Sequence, residues 1–214
     1  MEQDTKLFIE KHIELIEDNS FDELYRLVKI EDIDCSDLTA TLYKAGFYPL
    51  DFMTYVPNRF AADIKDVDNY NIPEGVKTIE PFAFDSNGLR SVKFPKTLDD
   101  IKKGCFEFCM NLQSIDTANV EYIEEDTFIG CSNLHTLVTS AKVINKFAFK
   151  DCSKLMNIYL SDNVNTIGFA AFNHVPATEI HYEGTKDDWS YVTLFDQWNG
   201  DIHKVICTDG DVLL

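Results

Sequence analysis

Apolar residues recur along this chain with a period of about 22 residues, over residues 72 to about 182. Five isoleucines mark the period at steps of 22, 22, 21 and 23 residues, and a phenylalanine follows each after five residues. The isoleucines are Ile79, Ile101, Ile123, Ile144 and Ile167, and the phenylalanines are Phe84, Phe106, Phe128, Phe149 and Phe172. Because one such unit cannot bury its apolar face alone, the fixed period predicts a solenoid of stacked coils.

Each repeat also contains a short stretch in which apolar and polar residues alternate, which predicts a β-strand. These stretches are residues 90–94, 113–116, 135–138 and 156–160. The segment around each repeated phenylalanine, such as Phe82-Ala83-Phe84, favours a helical or 3₁₀ turn that directs its ring inward. Stacking such repeats predicts short parallel strands around a common ladder of Ile, Phe, Cys and Leu side chains.

The N-terminal region has a helical pattern instead. Five residues fall on one helical stripe, namely Leu7, Phe8, His12, Leu15 and Ile16. Ser20 to Glu23 matches a capping box for a second helix, and Gly46 is placed to end a third. We therefore predict an α+β fold: an acidic helical cap or binding domain at residues 1–65, then a solenoid at residues 66–214. The solenoid would comprise five copies and a C-terminal cap that Trp189 and Trp198 seal.

The repeat pattern Ile-x4-Phe-x2-Cys-x2-Leu-x2-Ile resembles the BspA-type leucine-rich repeats of bacteria and their viruses. Residues 130–134 and 150–158 carry the likeness most closely. Residues 182–189 resemble the terminal element of that family, and residues 206–211 resemble its closing strand. The resemblance implies a leucine-rich-repeat solenoid, and it implies binding or adhesion rather than one defined reaction.

The chain is strongly acidic, with a formal net charge of -18 and a pI near 4.5. Residues 1–70 hold 16 acidic and 7 basic side chains, and residues 71–214 hold 21 and 12, so each part has a net charge of -9. The helical part therefore has the higher charge density. Because nucleic acids and anionic membranes repel such a surface, we expect neither as a partner. The negative charge would keep the protein soluble or attract a basic protein partner.

The N-terminal residues and the hydropathy pattern indicate where in the cell the protein is located. Met1-Glu2-Gln3-Asp4 is acidic and lacks the basic start and apolar run of a secretory signal. No uninterrupted apolar stretch has the length that a bilayer span requires. We therefore expect a cytoplasmic protein of a bacterium or a phage-infected cell, or a cell-surface protein if a leader was removed.

The sequence contains no GxSxG, no glycine-rich phosphate loop and no HExxH. His174 and His181 lie seven residues apart with no further patterned ligand, and the acidic residues 124–126 lack the spacing of a calcium loop. We therefore predict no enzymatic activity, no cofactor and no metal. Cys109, Cys131 and Cys152 share one repeat position and are interpreted as small buried side chains, with a disulfide or a metal site as the alternatives.

The residues on either side of an inward-facing strand position point outward. One face of the solenoid should therefore carry a row of side chains that varies from copy to copy while the interior does not. The candidate partner-binding residues on this face are Lys93, Asp116, Val138, Asn157, Tyr159, Glu179 and His181. Tyr159 is the strongest anchor among them because tyrosine is enriched at interface hot spots. An ordinary polar sheet surface is the alternative interpretation.

These observations favour a non-enzymatic protein–protein interaction module that binds a protein partner through the solenoid face, the acidic helical head or both. A phage-encoded inhibitor of a host defence factor is one version of this hypothesis. A cell-surface adhesion module is an alternative. An enzyme or metal-binding protein with its site in the helical head is a second alternative.

Overall fold

The computed structural model describes residues 2–33, 35–47, 55–56, 68–117 and 119–214. Within these residues the chain begins with a group of helices and continues as a solenoid of short strands. The helices are α1 (Glu2–Lys11), α2 (Ile13–Glu17), α3 (Phe21–Glu31), α4 (Cys35–Lys44) and, near the C-terminus, α5 (Lys186–Ser190). The predicted α+β architecture, with a small helical region before a solenoid of short parallel strands, is confirmed.

Each coil of the solenoid contributes one strand to each of two sheets. The seven-stranded sheet consists, in spatial order, of β1 (Tyr55–Val56), β3 (Thr78–Ile79), β5 (Asp100–Ile101), β7 (Tyr122–Ile123), β9 (Val143–Ile144), β11 (Thr166–Ile167) and β13 (Thr193–Leu194). The eight-stranded sheet consists of β2 (Asn69–Asn71), β4 (Ser91–Lys93), β6 (Ser114–Thr117), β8 (Thr136–Thr139), β10 (Asn157–Leu160), β12 (Glu179–Tyr182), β14 (Lys204–Cys207) and β15 (Gly210–Leu213). Strands β14 and β15 pair antiparallel, and the other pairs are parallel. Because neighbouring coils pair in register, each residue lies above its own equivalent.

The stack of coils extends beyond the predicted range of residues 72–182 at both ends. Strand β1 pairs with β3 and β2 pairs with β4, so a coil precedes the first predicted copy. At the other end, β13 and β14 continue both sheets. The predicted division of the chain at residues 65 and 66 stays a prediction, although strand β1 lies on the helical side of it.

The interior of the solenoid is a set of ladders, as the sequence predicts. The five repeated isoleucines are fully buried. The five repeated phenylalanines are buried as well, and their rings stack with centroids 5.0–5.4 Å apart and interplanar angles of 4–6°. Strands such as β6 and β10 alternate exposed and buried residues, which places their aliphatic side chains in the same core.

The turns after the seven-stranded sheet form a third ladder of backbone hydrogen bonds. The amide of Ala83 donates to the carbonyl three residues earlier, which is the 3₁₀-type pattern that we predicted. The amide of Phe84, however, donates to the carbonyl of Cys105 in the next coil. Later coils repeat this alternation. Every second amide is thus used between coils, so the turns stack without forming a continuous helix.

Two positions in each turn, two residues before and two residues after the buried phenylalanine, have left-handed backbone conformations. In the second coil these are Gly104 (φ 63) and Phe108 (φ 52), and in the third they are Asp126 and Gly130. A Cβ atom on Gly104 would lie 2.5 Å from the ring of Phe82 in the coil before it. Glycine fits this position because it adopts the left-handed conformation without strain and leaves room for the ring of the neighbouring coil.

The three repeated cysteines form a buried ladder inside the solenoid. Cys109, Cys131 and Cys152 are free thiols with no exposed surface, and each donates to a backbone carbonyl of an earlier coil at 3.0–3.2 Å. Burial raises the pKa of the Cys109 thiol to about 12 and raises the pKa values of the Cys131 and Cys152 thiols as well. The burial of the three thiols agrees with their interpretation as small buried side chains.

The helical region packs around its own buried residues. The main ones are Phe8, Ile16, Phe21, Leu24, Tyr25, Val28, Leu38 and Leu42. Tyr25 and Thr39 share a hydrogen bond of 2.6 Å that joins α3 to α4. These residues belong to the same continuous core as the solenoid, and Lys29 forms an ion pair with Glu80 at 3.4 Å. The helical region is thus joined to the first coils by apolar packing and by charge.

Two details of the helical prediction are wrong. The predicted stripe is interrupted, because α1 ends before His12 and α2 starts after it, and Leu7 within α1 is 66% exposed. Ser20 makes no capping hydrogen bond, since its backbone (φ -83, ψ 52) is not extended as an N-cap requires. A capping box occurs instead at Thr185, whose backbone is extended, with Asp188.

The C-terminal end of the core is closed by aromatic packing. Trp189 and Trp198 are 4% and 7% exposed, and their ring centroids lie 6.0 Å apart. Tyr182 meets Trp189 edge-on at 5.1 Å. This arrangement agrees with the prediction that the two tryptophans seal the core.

Replacing the central phenylalanine of the stack should strongly destabilise the solenoid. We expect Phe128→Ala to lower the free energy of unfolding by about 3–5 kcal/mol, because it removes the contacts with both neighbouring rings and leaves a cavity. Urea denaturation followed by circular dichroism measures this. Phe108→Ala, at a ring that is 44% exposed, is the control and should cost about 1 kcal/mol or less. Equal losses for the two variants would contradict the stacked core.

The buried thiols should resist alkylation in the folded protein. Because the thiolate is the reactive form, burial and a raised pKa together should keep Cys109, Cys131 and Cys152 unmodified by iodoacetamide at pH 8. All three should react in urea. Mass spectrometry of peptides from the two conditions measures the labelling, and rapid modification of Cys131 in the folded protein would contradict the buried ladder.

Candidate protein-binding face

The outward side of the eight-stranded sheet, which we call the sheet face, is formed by two rows of aligned side chains. One row consists of Asn71, Lys93, Asp116, Val138, Tyr159, His181 and Ile206, and the other of Asn69, Ser91, Ser114, Thr136, Asn157, Glu179 and Lys204. The rows arise because alternate strand residues point away from the core and because the coils pair in register. Chemically different residues are thereby placed side by side.

The structure brings all seven predicted residues onto this face. Lys93, Asp116, Val138, Asn157 and Tyr159 are exposed, and Glu179 and His181 are half-buried. Their location on one face agrees with the strand periodicity from which they were chosen. Their role in binding stays a prediction.

The centre of the sheet face is apolar and aromatic. Val138 lies beside Tyr159 in the strand register, and Tyr159 lies beside His181. The rings of Tyr159 and His181 stack with centroids 5.0 Å apart and an interplanar angle of 21°. Val138 and Tyr159 are each 41% exposed, so this centre presents apolar surface to solvent.

One further member of this centre was missed in the sequence. Ile206 lies beside His181 in the register and is half-buried. The alternation in Lys204-Val205-Ile206-Cys207 matches that of the earlier strands and is a signal that could have identified it. The segment lacks the repeat spacing of the other coils, because α5 and its flanking loops lie between β12 and β14.

Charged groups border the apolar centre. Lys204 donates to Glu179 at 2.6 Å, and the ring of His181 lies 3.8 Å from the same carboxylate. The hydrogen bond from Lys204 is the largest cause that lowers the pKa of Glu179, and the nearby positive charges lower it further. Asn157 donates to the carbonyl of His135 and so holds a fixed orientation. The polar border is therefore ordered by contacts within the face.

The histidines do not converge on a site. His174 pairs with Asp151 at 2.6 Å, whereas His181 stacks on Tyr159, and His12 contacts Glu31 at 2.9 Å. Among the residues that the structure describes, no group of three or more His, Cys, Asp or Glu side chains is arranged to hold a metal ion. The same described part of the chain contains no helix with the length and hydrophobicity to cross a membrane.

Comparison with known families identifies the repeats. The family model described as BspA type Leucine rich repeat region matches the chain in six copies, over residues 54–179 and 137–190. These residues contain most of the two sheets, and the helices α1 to α4 precede them. A search of curated proteins found no match.

Solved structures of bacterial proteins resemble the chain. A leucine rich cell surface protein from Faecalibacterium prausnitzii A2-165 is 31% identical, with a TM-score of 0.57, over 60% of this chain and 35% of that chain. A leucine-rich repeat protein from Eubacterium ventriosum ATCC 27560 is 20% identical, with a TM-score of 0.47, over 74% of this chain and 50% of that chain. The aligned regions thus make up a third to a half of these proteins.

The family match covers well over half of the chain, and its residues include most strands of the observed coils. Leucine-rich repeat proteins generally mediate protein–protein interaction or adhesion and are typically not enzymes. This chain belongs to the BspA-type leucine-rich repeat family.

Proposed function

We propose that this chain is a non-enzymatic binding module whose sheet face contacts a protein partner. The observation that carries the proposal is the apolar centre of that face, where Val138, Tyr159 and His181 lie side by side on three consecutive strands. Exposed aromatic and aliphatic side chains at the centre of a polar border are the usual composition of a protein interface. Tyrosine in such a position is typical of a hot spot.

The rigidity of the face supports this function. Each strand of the eight-stranded sheet from β4 to β12 is hydrogen-bonded on both sides, and the inward side chains of these strands are buried. A surface that is ordered before binding loses little conformational entropy when a partner is bound. The Tyr159–His181 stack and the Glu179–Lys204 ion pair fix the side chains as well.

The charge of the face favours a protein as the partner. Lys93 and Lys204 lie among Asp116 and Glu179, so the face has a mixed charge although the chain has a net charge of -18. A surface that binds nucleic acid would carry a basic stripe. We infer a partner that presents an apolar patch bordered by charges of both signs.

Two versions of this function differ in where the protein would act: adhesion at a cell surface, or inhibition of a host factor inside a cell. The relative from Faecalibacterium prausnitzii is a cell surface protein, which favours adhesion at a bacterial surface. Inhibition of a host factor inside a cell would use the same face. The acidic helical head offers a second contact surface in either version, because Leu7 and Ile30 are 66% and 76% exposed on its helices.

Alanine substitutions at the apolar centre should weaken partner binding. The partner would first be cross-linked to the tagged wild-type protein in extracts of the native bacterium, identified by mass spectrometry and purified. We then expect Tyr159→Ala and His181→Ala each to raise the Kd about thirtyfold, as loss of a hot-spot side chain of about 2 kcal/mol does. Surface plasmon resonance measures the Kd.

The other sheet provides a matched control. Tyr122 is 45% exposed, close to the 41% of Tyr159, but it lies on the outer side of the seven-stranded sheet. Tyr122→Ala should leave the Kd unchanged, and all three variants should keep the thermal stability of the wild type within a few degrees. A Kd that changes with Tyr122→Ala and not with Tyr159→Ala would overturn the assignment of the face.

A further inference from the structure

One of the two sheets has an open edge at the C-terminal end of the solenoid. The eight-stranded sheet ends there in the antiparallel β14–β15 hairpin, whereas β13 is the last strand of the seven-stranded sheet. Residues 193–197, which comprise β13 and the start of its turn, are all exposed. Their equivalents in the coil before, residues 166–170, are buried or half-buried at four of the five positions. The edge of β13 is therefore accessible to another chain.

The backbone of β13 offers hydrogen-bonding groups to a further strand. The amides of Thr193 and Phe195 donate to carbonyls of the coil before. Because alternate residues of a parallel strand pair with opposite neighbours, the N–H and the C=O of Leu194 both point away from that coil. Within the described residues, no strand lies on this side of β13 to pair with them.

The turn after β13 continues the open edge. The carbonyls of Asp196 and Trp198 accept hydrogen bonds from amides of the coil before. In a planar trans peptide the N–H lies opposite the C=O, so the amides of Gln197 and Asn199 point outward. Together with Leu194, these residues present three donors and one acceptor. Earlier coils use the same groups to bind the coil that follows them.

The side chain that an added strand would cover is aliphatic. Leu194 lies beside Ile167 in the strand register and so continues the isoleucine ladder of the core. Ile167 is fully buried, whereas Leu194 at the end of the ladder is 36% exposed. Tyr191 and Phe195, on either side of β13, are 77% and 52% exposed. A residue that faces Leu194 should therefore be aliphatic, as it is in the coils of the ladder.

The chain around this edge is acidic. Residues 183–202 hold five acidic side chains and one basic side chain, which gives a net charge of -4. Asp196, two residues after β13, is exposed. Such a charge attracts a basic segment and repels a second copy of the same edge. It therefore favours a basic partner segment over self-association.

We propose that the edge of β13 binds an extended segment of another protein, which carries an aliphatic residue between basic residues and adds to the sheet as a parallel strand. In strand addition the backbone hydrogen bonds give affinity and the alternate side chains give specificity. The parallel orientation continues a sheet in which the described pairs are parallel. This site is separate from the sheet face, so it does not depend on the proposed function.

A short peptide tests the site without the natural partner. The probe is a fluorescein-labelled KKTIKK peptide with blocked ends, whose central Thr-Ile copies β3 and β11. Fluorescence anisotropy measures its binding to the full chain. N-methylation of the lysine after isoleucine removes the amide that would donate to Leu194, and we expect it to weaken binding by at least about tenfold. N-methylation of the isoleucine is the matched control and should leave binding unchanged, because that amide points away from β13 in a parallel pair.

Variants of the protein locate the peptide. Leu194→Pro removes the outward donor but keeps the two amides that bind the coil before, and proline is tolerated on an edge strand where its nitrogen faces solvent. This variant should bind the peptide at least about tenfold more weakly. If it does not fold, Leu194→Lys keeps the backbone, opposes the basic peptide and should have the same effect. Tyr159→Ala, on the sheet face, should bind the peptide as the wild type does.

The outcomes separate strand addition from other binding. Absence of saturable binding up to about 1 mM peptide, or equal binding of the two methylated peptides, overturns strand addition. A larger loss from methylation of the isoleucine overturns the parallel orientation. Unchanged binding by Leu194→Lys overturns the site, and equal binding of an EETIEE peptide overturns the basic partner. Failure of the proposed function would appear instead as unchanged partner binding by Tyr159→Ala.

Discussion

The backbone hydrogen bonds between neighbouring coils are the constraint on which the rest of this structure depends. They run along both sheets and along the turns, so that each coil is fixed to the next on three sides. Because the register is fixed, each interior side chain contacts the residue at the same repeat position of the neighbouring coil. A residue type that packs well at that position in one coil therefore packs well there in the next. The parallel phenylalanine rings and the buried isoleucines follow from this constraint. The sheet face follows from it as well, since the same register aligns the outward residues.

The residue types allowed at inward and at outward positions of the coils are therefore restricted differently. An interior position is limited by the volume between coils, which the packing density of a protein core does not allow to vary freely. An outward residue such as Val138 or Tyr159 contacts neighbours of other residue types. Its size is not limited by the volume between coils. The face can thus combine aromatic, aliphatic and charged groups on one rigid support.

The repeat could be predicted from the sequence because residues that contact one another at the same repeat position are of similar type and recur at a fixed spacing. The seven candidate residues followed from the strand period alone and do share one face. The coil that contains β1 was not predicted, because it lacks the isoleucine and phenylalanine spacing and is defined by its pairing with β3. The break between α1 and α2 at His12 and the exposure of Leu7 depend on backbone angles and on contacts between elements. Such features have no periodic signature, and neither does the identity of a partner.

The antiparallel pairing of β14 with β15 has a consequence for association between molecules. Within the described residues, the coils of the eight-stranded sheet add to one another only in parallel, but β15 presents an edge that runs in the opposite direction and carries the charged Asp211. The first strand of a second copy, approaching head to tail, would meet a reversed hydrogen-bonding pattern rather than a continuation of the coil. A charged side chain on an edge strand is a known protection against edge-to-edge growth. This hairpin therefore disfavours open-ended filaments, to which a molecule built from stacked identical units is otherwise prone.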